Sequence, residues 1–471
     1  MTVVEDAAGS TGARTQSSQP RIEQRGIDYV PEHERRGRAA HLAGMWGGVV
    51  LNVQTLVYGA LLVVFGLDPW QCVAAVLIGN ATWIVTGVCS LAGAAAGTTT
   101  FAINRAALGR NGNRPIAFFN WVMQVGFEVL DLVLMVLAAG ALLGMAGVHV
   151  GTATKVVLVL ALSVAQSLLP IFGHAAITRV LHLLVLPFAV VFGILAWLTA
   201  GKLHLTDTHP ASWAVFLGGV ALSTSASGLG WTANAADYSR YLPAATGKAR
   251  IVLGVALGGG VPQALLMLLG AAVTFATPAA SDPITGLSGA YPTWFVVVFL
   301  LLLIVQMAAV NGVDLYSSGV TLQAIGVRVA RWQAVLIDGV FCTVLGMAVV
   351  FSGGFNTVLS DFLLFMIVWF APWSAIFVAD YLLRQGRYDI DALTTDRGGR
   401  YRRPGGVHLP GVTAQLLGMI AALLCINTSV FVGPVASALG GADLSVPAGF
   451  LVGATVYYLL ARTSVPAESR Q

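Results

Sequence analysis

Charge is what this sequence has least of: Asp, Glu, Lys and Arg make up only 10% of its 471 residues, where a soluble domain carries roughly 25%. That shortage excludes an ordinary water-soluble globular domain. Cysteine is scarce too, and the four present (Cys72, Cys89, Cys342 and Cys425) lie inside or at the edge of apolar runs, with no CxxC spacing and no histidine beside them. A disulfide framework and a zinc site are therefore excluded, and the cysteines read as small apolar side chains. The eight histidines show no metal-ligand clustering either. HExxH, GxxxxGK[ST] and GxSxG are all missing, so no enzyme and no cofactor is expected. The basic residues are dispersed between apolar runs instead of gathered into a patch, which argues against a nucleic-acid partner. Residues 1–39 are polar and lack the apolar core of a secretion signal; the tail reads as disordered at least up to Gly26.

What the chain does have is apolar length. Hydrophobic residues make up 57% of it and the mean hydropathy is +0.80. Several runs reach the roughly 20 residues that a helix needs to cross a bilayer. The expected architecture is an all-α polytopic membrane protein with twelve spans near 40–66, 70–94, 115–143, 154–171, 178–200, 212–238, 250–277, 293–325, 333–351, 357–383, 411–432 and 444–462. With an inside N-terminus, the tails and alternate loops collect 23 of the 25 Lys and Arg residues and leave only Lys155 and Lys202 outside. Short cytoplasmic loops should hold that excess, so the pattern supports both the count and an orientation with both termini in the cytoplasm.

Two spans are interrupted. Ser223–Tyr241 reads STSASGLGWTANAADYSRY, a run of small and hydroxyl residues inside span six. In hydrocarbon, such a break is tolerated only where it faces protein or a polar cavity. Span one carries Asn52-Val53-Gln54-Thr55 at a corresponding place, five spans earlier. Spans three and eight, also five apart, both hold carboxyls at mid-depth. Corresponding interruptions in two halves point to an inverted repeat with its site at the midplane. The expected organisation is a cytoplasmic tail (1–39), a first repeat (40–200), a second repeat (212–383), a cytoplasmic loop (384–410), two further spans (411–462) and a short tail (463–471).

In span three, Gln124, Phe127, Glu128 and Asp131 fall at i, i+3, i+4 and i+7, on one helical face. A carboxyl at that depth is costly, so it normally faces a cavity and has a function. Asp131 is read that way, whereas Glu128 is either functional or a tether to a neighbouring helix. Span eight offers Gln306, Asn311 and Asp314 in VQMAAVNGVDLYSSG, with Asp314 its intramembrane carboxyl. Gly230 and Trp231 follow the break in span six, where an aromatic face could hold a flat ligand. Asp237 and Arg240 could pair as a gate or as a structural bridge. Asp361 is left open between coupling and packing.

These residues carry a family resemblance. GLGWTANAADYSRYLP resembles the G-W-x-x-x-A-x-D-Y-x-R-Y-x-P signature of the purine and cytosine permeases in the nucleobase:cation symporter-1 family. GIDYVPEHER, NRAALGRNGNR and NGVDLYSSGVTLQAIG are similar to that family's segment before span one, its loop before span three and its span eight. The resemblance implies a LeuT-like five-plus-five inverted repeat with two extra helices, alternating access, and import of a flat heterocycle with a cation through the cell membrane. It also implies that the substrate lies between Phe127 and Trp231.

Two departures from the family pattern matter. The amides expected in spans three and eight are replaced by Asp131 and Asp314. An ionised carboxylate only accepts hydrogen bonds, so the pocket suits a ligand rich in N–H donors, such as cytosine or a purine-like base, or alternatively a small organic amine. Sodium-driven relatives carry a Ser/Thr pair five and six residues before the span-eight amide; here those positions are Ala309 and Ala308. Proton coupling through Asp131, Asp314 or Glu128 is therefore expected over sodium. The partners implied are the bilayer and a small-molecule substrate, with no obligate protein partner. A channel is the less favoured reading.

Overall fold

The computed structural model describes residues 29–470 apart from 172–173, 204–208, 278–283, 285, 328–330, 395–400 and 402; the polar stretch read as disordered up to Gly26 lies outside them. The described residues are almost wholly helical. The first half comprises α1 (Ala39–Val50), α2 (Val53–Val64), α3 (Pro69–Ala81), α4 (Trp83–Ala96), α5 (Arg110–Met145), α6 (Thr152–Ile171) and α7 (His174–Ala200). The second comprises α8 (Trp213–Ala226), α9 (Ala235–Ser239), α10 (Lys248–Ala276), α11 (Thr293–Ile325), α12 (Arg331–Ser352) and α13 (Phe355–Arg384). Then follow α14 (Leu409–Cys425), α15 (Ser445–Ala461) and α16 (Ser464–Arg470).

Local chemistry explains where several of these helices start and stop. Asp68 and Gln71 form a reciprocal capping box ahead of Pro69 at the start of α3, which satisfies two of the helix's orphan N–H groups. Gly97, at φ 64°, ends α4 in the left-handed conformation that glycine tolerates best. Asn52 caps α2 by accepting from the Thr55 N–H at 2.8 Å.

By length and apolar composition, nine helices among the described residues can cross a bilayer, or ten if the bent α1–α2 pair is one span. Ser445–Ala461 is apolar but shorter. At 1.5 Å per residue, its 17 residues reach only about 25 Å, short of the roughly 30 Å hydrocarbon core. The expected count of twelve is therefore not established by span length.

Both expected interruptions are present. The chain bends by 60° between α1 and α2, and span six breaks at Ser227, after α8. α10 packs against α1 and α2 on both sides of the first bend and also against α4, while α11 lies along α5. The approach of α2 to α10 is close because glycine permits it. A Cβ on Gly59 would meet the Met267 backbone, and one on Gly270 would meet the Leu56 carbonyl; small residues allow this backbone proximity between apolar helices.

At the far end of α13, Arg384 is fully buried. Its Nε donates to both oxygens of Asp380 at 2.9 Å, its Nη1 to Glu468 Oε2 at 3.1 Å and its Nη2 to the Ala106 carbonyl at 3.1 Å. Tyr457 donates to Asp380 at 2.6 Å and Arg403 holds Glu468 at 2.9 Å. One guanidinium thus gathers α13, α15, α16 and the segment before α5.

Candidate functional site

The break in span six leaves backbone groups that hydrocarbon cannot satisfy, and neighbouring helices supply them. Gln263 Nε2 donates to the Ala226 carbonyl at 2.9 Å, Thr86 Oγ1 donates to the Gly228 carbonyl at 2.5 Å, and the Leu229 N–H donates to Thr82 Oγ1 at 3.1 Å. Gly228 sits against the backbone of Thr82 and Trp83, where a Cβ would overlap. Just past this break a short helical turn, Gly228–Trp231, presents Trp231.

Trp231 faces a narrow cleft lined by Gln54, Tyr58, Met123, Gln124, Phe127, Ser225, Ala226, Gly230, Trp231, Asn234, Val310 and Asp314. Five residues singled out from sequence, Gln124, Phe127, Gly230, Trp231 and Asp314, therefore line one space. Trp231 packs edge-on against Trp46 (5.8 Å between ring centroids, 72°), and Phe127 packs edge-on against Phe362 (5.2 Å, 90°). Each ring is braced from behind and half-buried, with surface left for a ligand.

Asp131 stands just behind this lining. It is fully buried, and Gln54 Nε2 donates to its Oδ1 at 2.9 Å, while its Oδ2 has no hydrogen-bond partner among the described residues. Tyr58 and Asp314 line the cleft together with Gln54. Glu128 does not line the cleft. It is fully buried, and among the described residues neither of its oxygens has a hydrogen-bond partner.

The other carboxyls have structural surroundings. Asp338 accepts from Trp121 Nε1 at 2.9 Å and from Ser318 Oγ. Asp361 accepts from the Ser429 N–H at 2.9 Å and from its hydroxyl, which ties α13 to the α14–α15 connection. Asp237 accepts from the Thr100 N–H at 2.8 Å.

Gln54, Tyr58 and Asn234 are site residues that sequence reasoning did not assign. Gln54 was visible within the polar interruption of span one, and Asn234 lies one turn after Trp231. Tyr58 carried no signal beyond lying four residues after Gln54.

Two broken spans around a buried, partly polar cleft, with intact helices behind them, define a helical membrane transporter of LeuT-like fold. The transporter Mhp1 shares that fold. Its closed, bromovinylhydantoin-bound structure superimposes with a TM-score of 0.71 over 96% of this chain and 99% of that one at 15% identity, and its inward-facing structure with 0.72 over 95% and 98%, also at 15%.

Residues 29–453 match the family described as permeases for cytosine/purines, uracil, thiamine and allantoin, and the chain belongs to it. YxlA of Bacillus subtilis is 28% identical over 93% of this chain and 96% of its own. The purine-cytosine permease fcyB of Emericella nidulans is 27% identical over 96% and 91%. The protein is a membrane permease, as its sequence led us to expect, and not an enzyme.

Proposed function

We propose that this permease imports a flat, N–H-rich heterocycle, cytosine or a purine-like base, by proton symport with alternating access. Relatives named purine-cytosine permeases and the description of Mhp1 as a nucleobase-cation-symport-1 transporter support the substrate class and the cation coupling. The carrying observation is that Phe127 and Trp231 line the same cleft as Asp314, with Asp131 one hydrogen bond behind it through Gln54. Aromatic faces favour a planar ring, and stacking on them tolerates different bases. The carboxyls accept from ring and exocyclic N–H groups. Gln54 and Asn234 add amide donors for a carbonyl on the same ring.

For coupling, Asp131 and Asp314 are the proton carriers of this reading and Glu128 a third candidate. Alanines at 308 and 309 lack the hydroxyls that a sodium ion would use. The 23 basic residues on one side support an orientation with both termini in the cytoplasm, in the cytoplasmic membrane. The 40–200 and 212–383 repeats move against each other around the site.

A second reading, transport of a small organic amine, is favoured by one feature. Among the described residues, no lysine or arginine is hydrogen-bonded to Asp131 or Asp314. Uptake of labelled cytosine into proteoliposomes separates the possibilities. An inward proton gradient is expected to drive accumulation without sodium, and unlabelled bases to compete better than amines. Sodium-dependent uptake indifferent to the proton gradient would sink proton coupling, and purely downhill flux without counterflow exchange would favour a channel.

A further inference from the structure

The bend between α1 and α2 exposes peptide groups at Leu51 and Val53 that the helices themselves no longer satisfy. Asn52 and Thr55 meet part of the need locally, donating to the Val49 and Val50 carbonyls, each at 2.9 Å. The remaining groups are met from across the fold. Gln306 on α11 donates its Nε2 to the Leu51 carbonyl at 2.8 Å and accepts the Val53 N–H on its Oε1 at 3.3 Å. A single amide, having both a donor and an acceptor, thus joins the two sides of the bend, and at 4% exposure it does so away from water.

We infer that Gln306 is a positioning residue for the substrate site, clamping the bend of span one so that Gln54 is held against Asp131. The link is short. Val53, held by Gln306, is the neighbour of Gln54, whose amide reaches Asp131 at 2.9 Å. On α11, Gln306 and Asp314 are eight residues apart and fall on one face, and both line a second cleft that also touches Trp231. The clamp therefore sets the spacing between the helix that supplies Gln54 and Tyr58 and the helix that supplies Asp314. Only the consequence for uptake rests on the transport reading above.

The test uses the full-length protein in lipid nanodiscs and compares Gln306→Met, which keeps volume and removes both bonds, with Gln306→Glu, which keeps an acceptor for Val53 and loses the amide donor. Hydrogen exchange of the peptide covering 49–56 is expected to quicken about tenfold in Gln306→Met, the scale of two lost hydrogen bonds, and less in Gln306→Glu, with the α14–α15 region unchanged. For cytosine uptake, KM should rise with kcat little altered. Gln54→Leu should act the same way, and the double variant should be no worse than the more severe single, because both act through one link. Unchanged exchange in Gln306→Met overturns the clamp whatever the substrate proves to be. Faster exchange with KM effects that multiply in the double variant overturns the positioning role.

Discussion

In the proposed reading, Trp231 offers a ligand a surface and Asp314 a hydrogen-bond acceptor, and both line the same cleft. Trp231 is held edge-on by Trp46, so its exposed face is fixed before a ligand arrives. Removing a stacked ring costs about 1–3 kcal/mol per base; Trp231→Ala is therefore expected to weaken cytosine binding roughly 5- to 150-fold, measured by equilibrium binding to the purified protein. Asp314→Asn replaces an acceptor by a group that also donates. Ligands presenting a carbonyl at that edge, such as uracil, should then compete better against cytosine, and the pH dependence of uptake should flatten. If competition and pH profile both stay as in the parent, Asp314 has neither assigned role. Glu128 is fully buried outside the lining of the cleft, and among the described residues neither of its carboxyl oxygens has a hydrogen-bond partner.

At the scale of the helix, the interruption of span six depends on what surrounds it. Glycine at 228 allows the chain to lie directly on the Thr82–Trp83 backbone, and the hydroxyls of Thr82 and Thr86 then reach the freed peptide groups. A methyl group there must displace backbone, not a pliable side-chain tip. Overpacking of this kind costs typically 1–3 kcal/mol, so Gly228→Ala should lower the thermal midpoint of the purified protein and reduce uptake. A Gly228→Ala protein with parental stability and uptake would show that the contact is not needed. Ser223–Tyr241 was legible as a break from its composition, because small and hydroxyl residues do not fill an apolar helix without cause. Its partners were not legible. Thr82, Thr86 and Gln263 sit in unremarkable stretches and acquire their roles only by proximity.

Across the whole molecule, the helices are tied together far from the cleft. Arg384 is fully buried and shared among Asp380, Glu468 and the Ala106 carbonyl. Breaking one partner of a buried ion pair costs about 3–5 kcal/mol, since a charge is left uncompensated. Arg384→Met should therefore destabilise the protein strongly in a thermal unfolding assay, with Glu468→Gln milder because Asp380 still pairs with the guanidinium. Equal stability of Arg384→Met and the parent would refute this. The membrane class, the interruptions in spans one and six, the carboxyls of spans three and eight and the family were all set by the sequence itself. Apolar length and polar breaks are local properties that show in any window of twenty residues. The tertiary structure alone decided that Gln54 meets Asp131, that Asp361 tethers Ser429 and that Gln306 closes the bend of span one. Those contacts join residues tens to hundreds of positions apart, and helix periodicity reports which face a residue occupies but not which other helix that face will meet.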